Sequence, residues 1–200
     1  MIEPSLQTEI CRLLFRQWQA LRGDRLLPRR ADLDPAHFAG YLPHVGLFEV
    51  HGPELTVCRL AGTSFQRSLG FELTGRNVVH IYAPDLRVAA GYRFFMMATQ
   101  PCAAMLELPL RFASGAPNPH EILLLPLEPK HAEAPPLLLV AVAATDVVTW
   151  QNTAILPHLQ ASPTFCFIDI GAGVPASTLP PENFARTALA LPRSAAPSAR

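Results

Sequence analysis

The sequence has almost no lysine: Lys130 is the only one, and arginine supplies the rest of the positive charge. Charge of either sign is scarce, 16% of 200 residues, and it cancels, with 16 Lys and Arg against 16 Asp and Glu. A chain without a basic excess lacks the field that drives broad nucleic-acid binding through counterion release. It also lacks a polybasic membrane anchor. Cysteine is sparse and dispersed. Cys11, Cys58, Cys102 and Cys166 form no CxxC pair, and no HxxxH or HExxH spacing is present. This disfavours a disulfide framework and a structural zinc site, and predicts four free, metal-free thiols. The start, Met1-Ile2-Glu3-Pro4-Ser5, lacks the basic and apolar regions of a secretory signal. The longest apolar run, residues 135–144, falls well short of the roughly 20 residues that span a bilayer. These absences predict a soluble, cytoplasmic protein.

Hydrophobic residues make up 50% of the chain and mean hydropathy is +0.20, enough for one domain with a sizeable core. Leu6, Ile10, Leu13, Leu14, Trp18 and Leu21 recur at intervals of three and four, with polar residues between them. That spacing predicts an amphipathic helix capped by Ser5 and stopped by Gly23. Its stripe serves either as a core face or as a dimer seam. Residues 24–43 form a connector, with Asp34-Pro35 opening a short helix. Residues 45–50 and 55–60 flank His51-Gly52-Pro53-Glu54 and predict a β-hairpin. Short helices follow over residues 64–69 and 78–82, then a longer one over 84–99 ended by Gln100-Pro101. Residues 103–112, 121–127 and 137–144 read as strands, and 165–170 as a late strand. Residues 1–43 are thus an N-terminal helix and connector, 44–148 a domain, 149–185 an extension with a possible extra strand, and 186–200 a frayed tail.

The order ββ, helices, βββ resembles a PAS sensor domain. Gly75-Arg76-Asn77-Val78 and Ile81-Tyr82-Ala83-Pro84-Asp85 carry the likeness, as do Arg59-Leu60-Ala61-Gly62-Thr63 and Leu73-Thr74. With Trp18, Leu21, Arg22, Leu27-Pro28, Arg30, Asp32, Asp34-Pro35 and Leu42-Pro43, the chain resembles a branch of short, single-domain bacterial PAS proteins. The likeness covers residues 14–145, with a weaker extension at 168–173. It implies an α+β fold: a five-stranded antiparallel sheet with helices on one face, preceded by the amphipathic helix. It implies a sensory or protein-interaction role and no particular ligand.

Light-sensing relatives place a reactive cysteine directly after Gly-Arg-Asn, and here that position is Val78. Haem-binding relatives ligate iron through a histidine on or near the long helix, where His80 is the one histidine. Neither haem nor flavin is supported by these motifs, and no cofactor is expected. No Gly-x-Ser-x-Gly elbow or P-loop occurs, and residues 171–175 lack the third glycine of a dinucleotide fingerprint. Arg22, Arg30 and Asp32 either tie the first helix to the connector or, for the arginines, receive an acidic ligand or partner. Arg59, among apolar neighbours, needs an acceptor and points to a carboxylate, a carbonyl or a pocket ligand. Phe94 and Met97 belong to the helix facing the sheet, as core filler or as the wall of an apolar pocket.

The expectation is a cytoplasmic, non-enzymatic bacterial regulator that acts by protein–protein interaction. The alternative is a small-molecule or haem sensor, with an α+β enzyme as a remote third. Ligand-pocket candidates are Arg59, His80, Phe94 and Met97. Dimer-interface candidates are Leu6, Ile10, Leu14 and Trp18, which predict a homodimer as well as a partner signalling protein.

Overall fold

The structure is a computed structural model, described here for residues 4–131, 133–146, 158–182 and 184. The first helix, α1 (Glu9–Arg22), precedes the hairpin β1 (Val45–Gly52) and β2 (Leu55–Ala61). Then come α2 (Thr63–Leu69), α3 (Arg87–Thr99), and strands β3 (Ala103–Leu108), β4 (His120–Leu127), β5 (Leu137–Ala144) and β6 (Cys166–Ile168). All strand pairs are antiparallel, in the order β2-β1-β5-β4-β3-β6. The predicted sheet is present over residues 45–144, and the late strand joins its β3 edge as a sixth member. Residues 186–200 lie outside the described residues.

The sheet carries two cores because β4 and β5 are apolar on both faces. On the inner face Phe48, Val50, Leu124, Leu138 and Val140 meet Phe65 of α2 and Phe94 and Met97 of α3. The β1–β2 turn lies so close to α3 that a side chain at Gly91 would strike the Pro53 carbonyl. On the outer face Leu123, Leu125, Leu139 and Ala141 meet Leu6, Leu14, Phe15 and Trp18. Trp18 is fully buried and its Nε1–H donates to the Pro126 carbonyl at 2.8 Å.

Several boundaries differ from expectation: β3 stops at Leu108, before Pro109, instead of reaching 112, β6 covers only Cys166–Ile168 of 165–170, and the helix expected over 84–99 opens with a 3-10 turn before α3. The N-cap of α1 is Thr8, not Ser5, and its hydroxyl accepts from the Cys11 N–H at 3.3 Å. The reason is Glu121, on β4 and only 2% exposed. Its carboxylate accepts from the backbone N–H of Gln7 and Thr8, both at 2.8 Å, and from the Thr8 hydroxyl at 2.6 Å. A buried carboxylate at the positive end of a helix is satisfied by charge and by hydrogen bonds together.

The connector is held as the arginine-and-aspartate pattern suggested, with different partners. Asp32 pairs with Arg25 at 2.5 Å, which holds its carboxyl below the usual carboxylate range. Arg22 lies over the Trp18 ring and donates to the Ile170 carbonyl at 2.9 Å. The extension therefore crosses both faces of the sheet: Ile170 sits against α1, and Leu159 enters the inner core.

Candidate functional site

An interior cavity of about 40 Å³ lies between the inner sheet face, α2 and α3. Phe48, Phe65, Phe94, Leu124, Val140 and Leu159 are among its walls, as is Tyr82. Burial pushes the Tyr82 phenol up to about 12 against the opposing pull of Arg93, so it stays neutral. Burial likewise holds the Cys58 and Cys102 thiols near 12, and raises Cys11 further. None of these buried thiols is an activated nucleophile at neutral pH.

The motif Gly75-Arg76-Asn77 lies in the chain between two wall residues of this cavity, Leu73 and Val78. Gly75, at φ +81°, donates its N–H to the Cys58 carbonyl, and the Cys58 N–H donates to the Arg76 carbonyl. The Asn77 side chain accepts from the Thr56 and Val79 N–H groups, both at 3.1 Å, and donates to the Glu54 carbonyl at 2.7 Å. One amide thus joins the β1–β2 turn, the outer edge of β2 and the turn that delivers Val78 to the cavity wall.

The four pocket candidates separate. Phe94 lines the cavity, and Met97 is buried in the surrounding core. His80 is exposed, and borders a different, surface hollow with Pro53 and Arg87. Arg59 lies on the outer face, where its Nε meets Glu49 Oε1 at 3.4 Å. The cause is strand geometry: Thr56 and Cys58 of β2 turn inward, and Arg59, next in the alternation, turns out. Among the dimer candidates, Leu6, Leu14 and Trp18 are buried against the chain's own sheet, and Ile10 is half-buried beside them.

The family model described as PAS domain matches residues 6–141, from α1 into β5. The chain belongs to the PAS domain family. A structural neighbour, described as "Structure of RsLOV d2 variant", is 18% identical with a TM-score of 0.37. The match covers 65% of each chain, so this chain spans less than two thirds of that neighbour's length. No curated protein matches.

The inner cavity of this PAS domain is small. Ligand sites typically enclose about 300–1,000 Å³, whereas the cavity here has room for about 40 Å³. The residue after Gly75-Arg76-Asn77 is Val78, which puts a hydrocarbon where a flavin adduct needs a thiol. His80 is not among the cavity walls.

A second site escaped the sequence reading. Helix α1 packs on β4 and β5, and among the described residues the β1–β2 wing of the outer face stays open. An open hollow of about 490 Å³ lies there, floored by Leu47, Leu60 and Leu137 and rimmed by Arg30, Arg59, Lys130 and His131. A β-bulge forms it: Leu47 pairs with Leu60 and Phe48 with Cys58, leaving Arg59 as the extra residue. Both Arg59 and Leu60 consequently line the hollow. Arg30 and Lys130 meet there because the connector pairs with the β4–β5 loop. The Glu128 N–H donates to the Pro28 carbonyl at 2.9 Å, and Arg29 pairs with Glu128 at 3.5 Å.

Proposed function

We propose that this PAS domain is a non-catalytic, cytoplasmic regulatory module of bacterial signalling whose output is the binding of a partner protein. The observation that carries this is the uncovered β1–β2 wing. Leu60 is 48% exposed there, in a concave surface that combines an apolar floor with charged edges. Protein interfaces combine an apolar centre with a polar rim in the same way. The inner cavity supports less, since its size admits only a very small apolar guest. Homodimer formation belongs to the same reading. Leu6, Leu14 and Trp18 are spent within the chain, so a second copy would meet α1 at Leu13 and Ile10.

Affinity purification of the tagged chain from its own cells, with chemical cross-linking and size-exclusion chromatography, tests this proposal. A stoichiometric complex with another signalling protein is the expected result. A chain that elutes alone and releases a small molecule on denaturation would replace it with the ligand-sensor alternative. Sedimentation tests the assembly: a dimer at high micromolar concentration, dissociated by Leu13→Glu, is expected, and a monomeric wild type rejects it.

A further inference from the structure

We propose that the hollow over the β1–β2 wing is the docking groove for an acidic, partly aliphatic segment of the partner protein. This rests on the protein-binding function proposed above and assigns it a surface and a chemistry.

Charge carries the assignment. The chain as a whole is neutral, yet three permanent cations, Arg30, Arg59 and Lys130, gather on this one rim with His131 beside them. Lys130, the chain's single lysine, stands here. Arg30, Lys130 and His131 are exposed, and their side chains make no ion pair or hydrogen bond among the described residues. Glu49 is the one carboxylate lining the hollow, and it is divided. Its Oε2 meets His51 Nε2 at 3.2 Å and its Oε1 meets Arg59 Nε at 3.4 Å. The terminal amino groups of Arg59 therefore remain available to a guest. The nearby Glu128 is engaged by Arg29, and Glu133, exposed in the same loop as His131, stands beside the rim without lining the hollow.

The floor selects among anions. Leu47, Leu60 and Leu137 offer aliphatic contact and no aromatic surface on which bases stack. Three cations around a hydrocarbon floor are too few to follow a nucleic-acid backbone. They match a short peptide that sets Leu, Ile or Val between Asp and Glu. Exposed ion pairs contribute modestly one at a time, so the rim chiefly sets specificity and the leucines supply the apolar contact.

Selection from a random-peptide display library on the intact protein tests the groove, with Arg59→Glu/Lys130→Glu as the counter-selected variant. Both substitutions are on exposed side chains, and an unchanged circular dichroism spectrum confirms the fold. Wild type is expected to enrich peptides rich in Asp and Glu with interspersed aliphatic residues. A labelled representative should lose roughly tenfold in affinity on the variant, and its Lys-for-Glu counterpart should gain. Enrichment without acidic residues, no enrichment, or affinity indifferent to charge reversal overturns the groove. So does displacement of the peptide by a single-stranded oligonucleotide. If the variant still purifies with the cellular partner, the groove falls while the protein-binding function stands on another surface.

Discussion

Glu121 ties the start of α1 to β4. A buried carboxylate that holds three donors at the start of α1 leaves them unpaired when it is removed. Glu121→Ala should cost about 3 kcal/mol, read from the urea midpoint, with Glu121→Gln intermediate because its amide offers one acceptor oxygen. His120, its neighbour, sets a pH dependence. Burial lowers its pKa below the usual 6.5, with His44 nearby adding to the effect and the hydrogen bond to the Asn118 carbonyl opposing it. The unfolded chain then binds a proton that the folded one resists. Stability is therefore full above about 6.5 and declines as pH falls toward the folded value. The melting temperature should drop between pH 7.5 and 5.5, and His120→Asn should flatten that drop. Neither role was legible in the sequence. Glu121 caps a helix more than a hundred residues earlier, and only tertiary structure brings the two together, which is why Ser5 looked the better cap.

At the scale of elements, periodicity located what packing later used. The stripe Leu6, Leu14 and Trp18 was evident, as were the hairpin, the long helix and the run of buried strands. Which surface would bury the stripe was not evident, because a core face and a dimer seam share one pattern. The sheet decides it within this chain: β4 and β5 are apolar on both sides, so one copy can cover both faces. Trp18→Ala should accordingly destabilise the isolated chain by about 3–5 kcal/mol, measured by chemical denaturation. A loss near zero would mean that α1 docks elsewhere. The β2 bulge was equally hidden. A single unpaired residue leaves no mark in composition, yet it turns Arg59 and Leu60 onto one surface. Arg30 and Arg59 were each singled out in the sequence, but their convergence with Lys130 depends on how the connector meets the β4–β5 loop.

Across the whole molecule, the extension after the sheet has a structural part. Leu159 is buried in the inner core and forms part of the cavity wall, while its N–H donates to the Ile81 carbonyl at 2.7 Å. Leu159→Ala should widen the cavity toward the size of about 150 Å³ at which an apolar cavity holds benzene. NMR titration with benzene should show binding to that variant and none to wild type, at a stability cost of about 2–4 kcal/mol. Among the described residues, the fold thus keeps a tightly filled interior on one side of its sheet and an open wing on the other. On the proposed function, this wing carries the output. Hydrogen–deuterium exchange of the protein, free and in complex with its co-purified partner, tests this. Slowed exchange confined to β1, β2 and the loop between β4 and β5 is the predicted result. Slowed exchange at α3 and the inner core, with the wing unchanged, would contradict it.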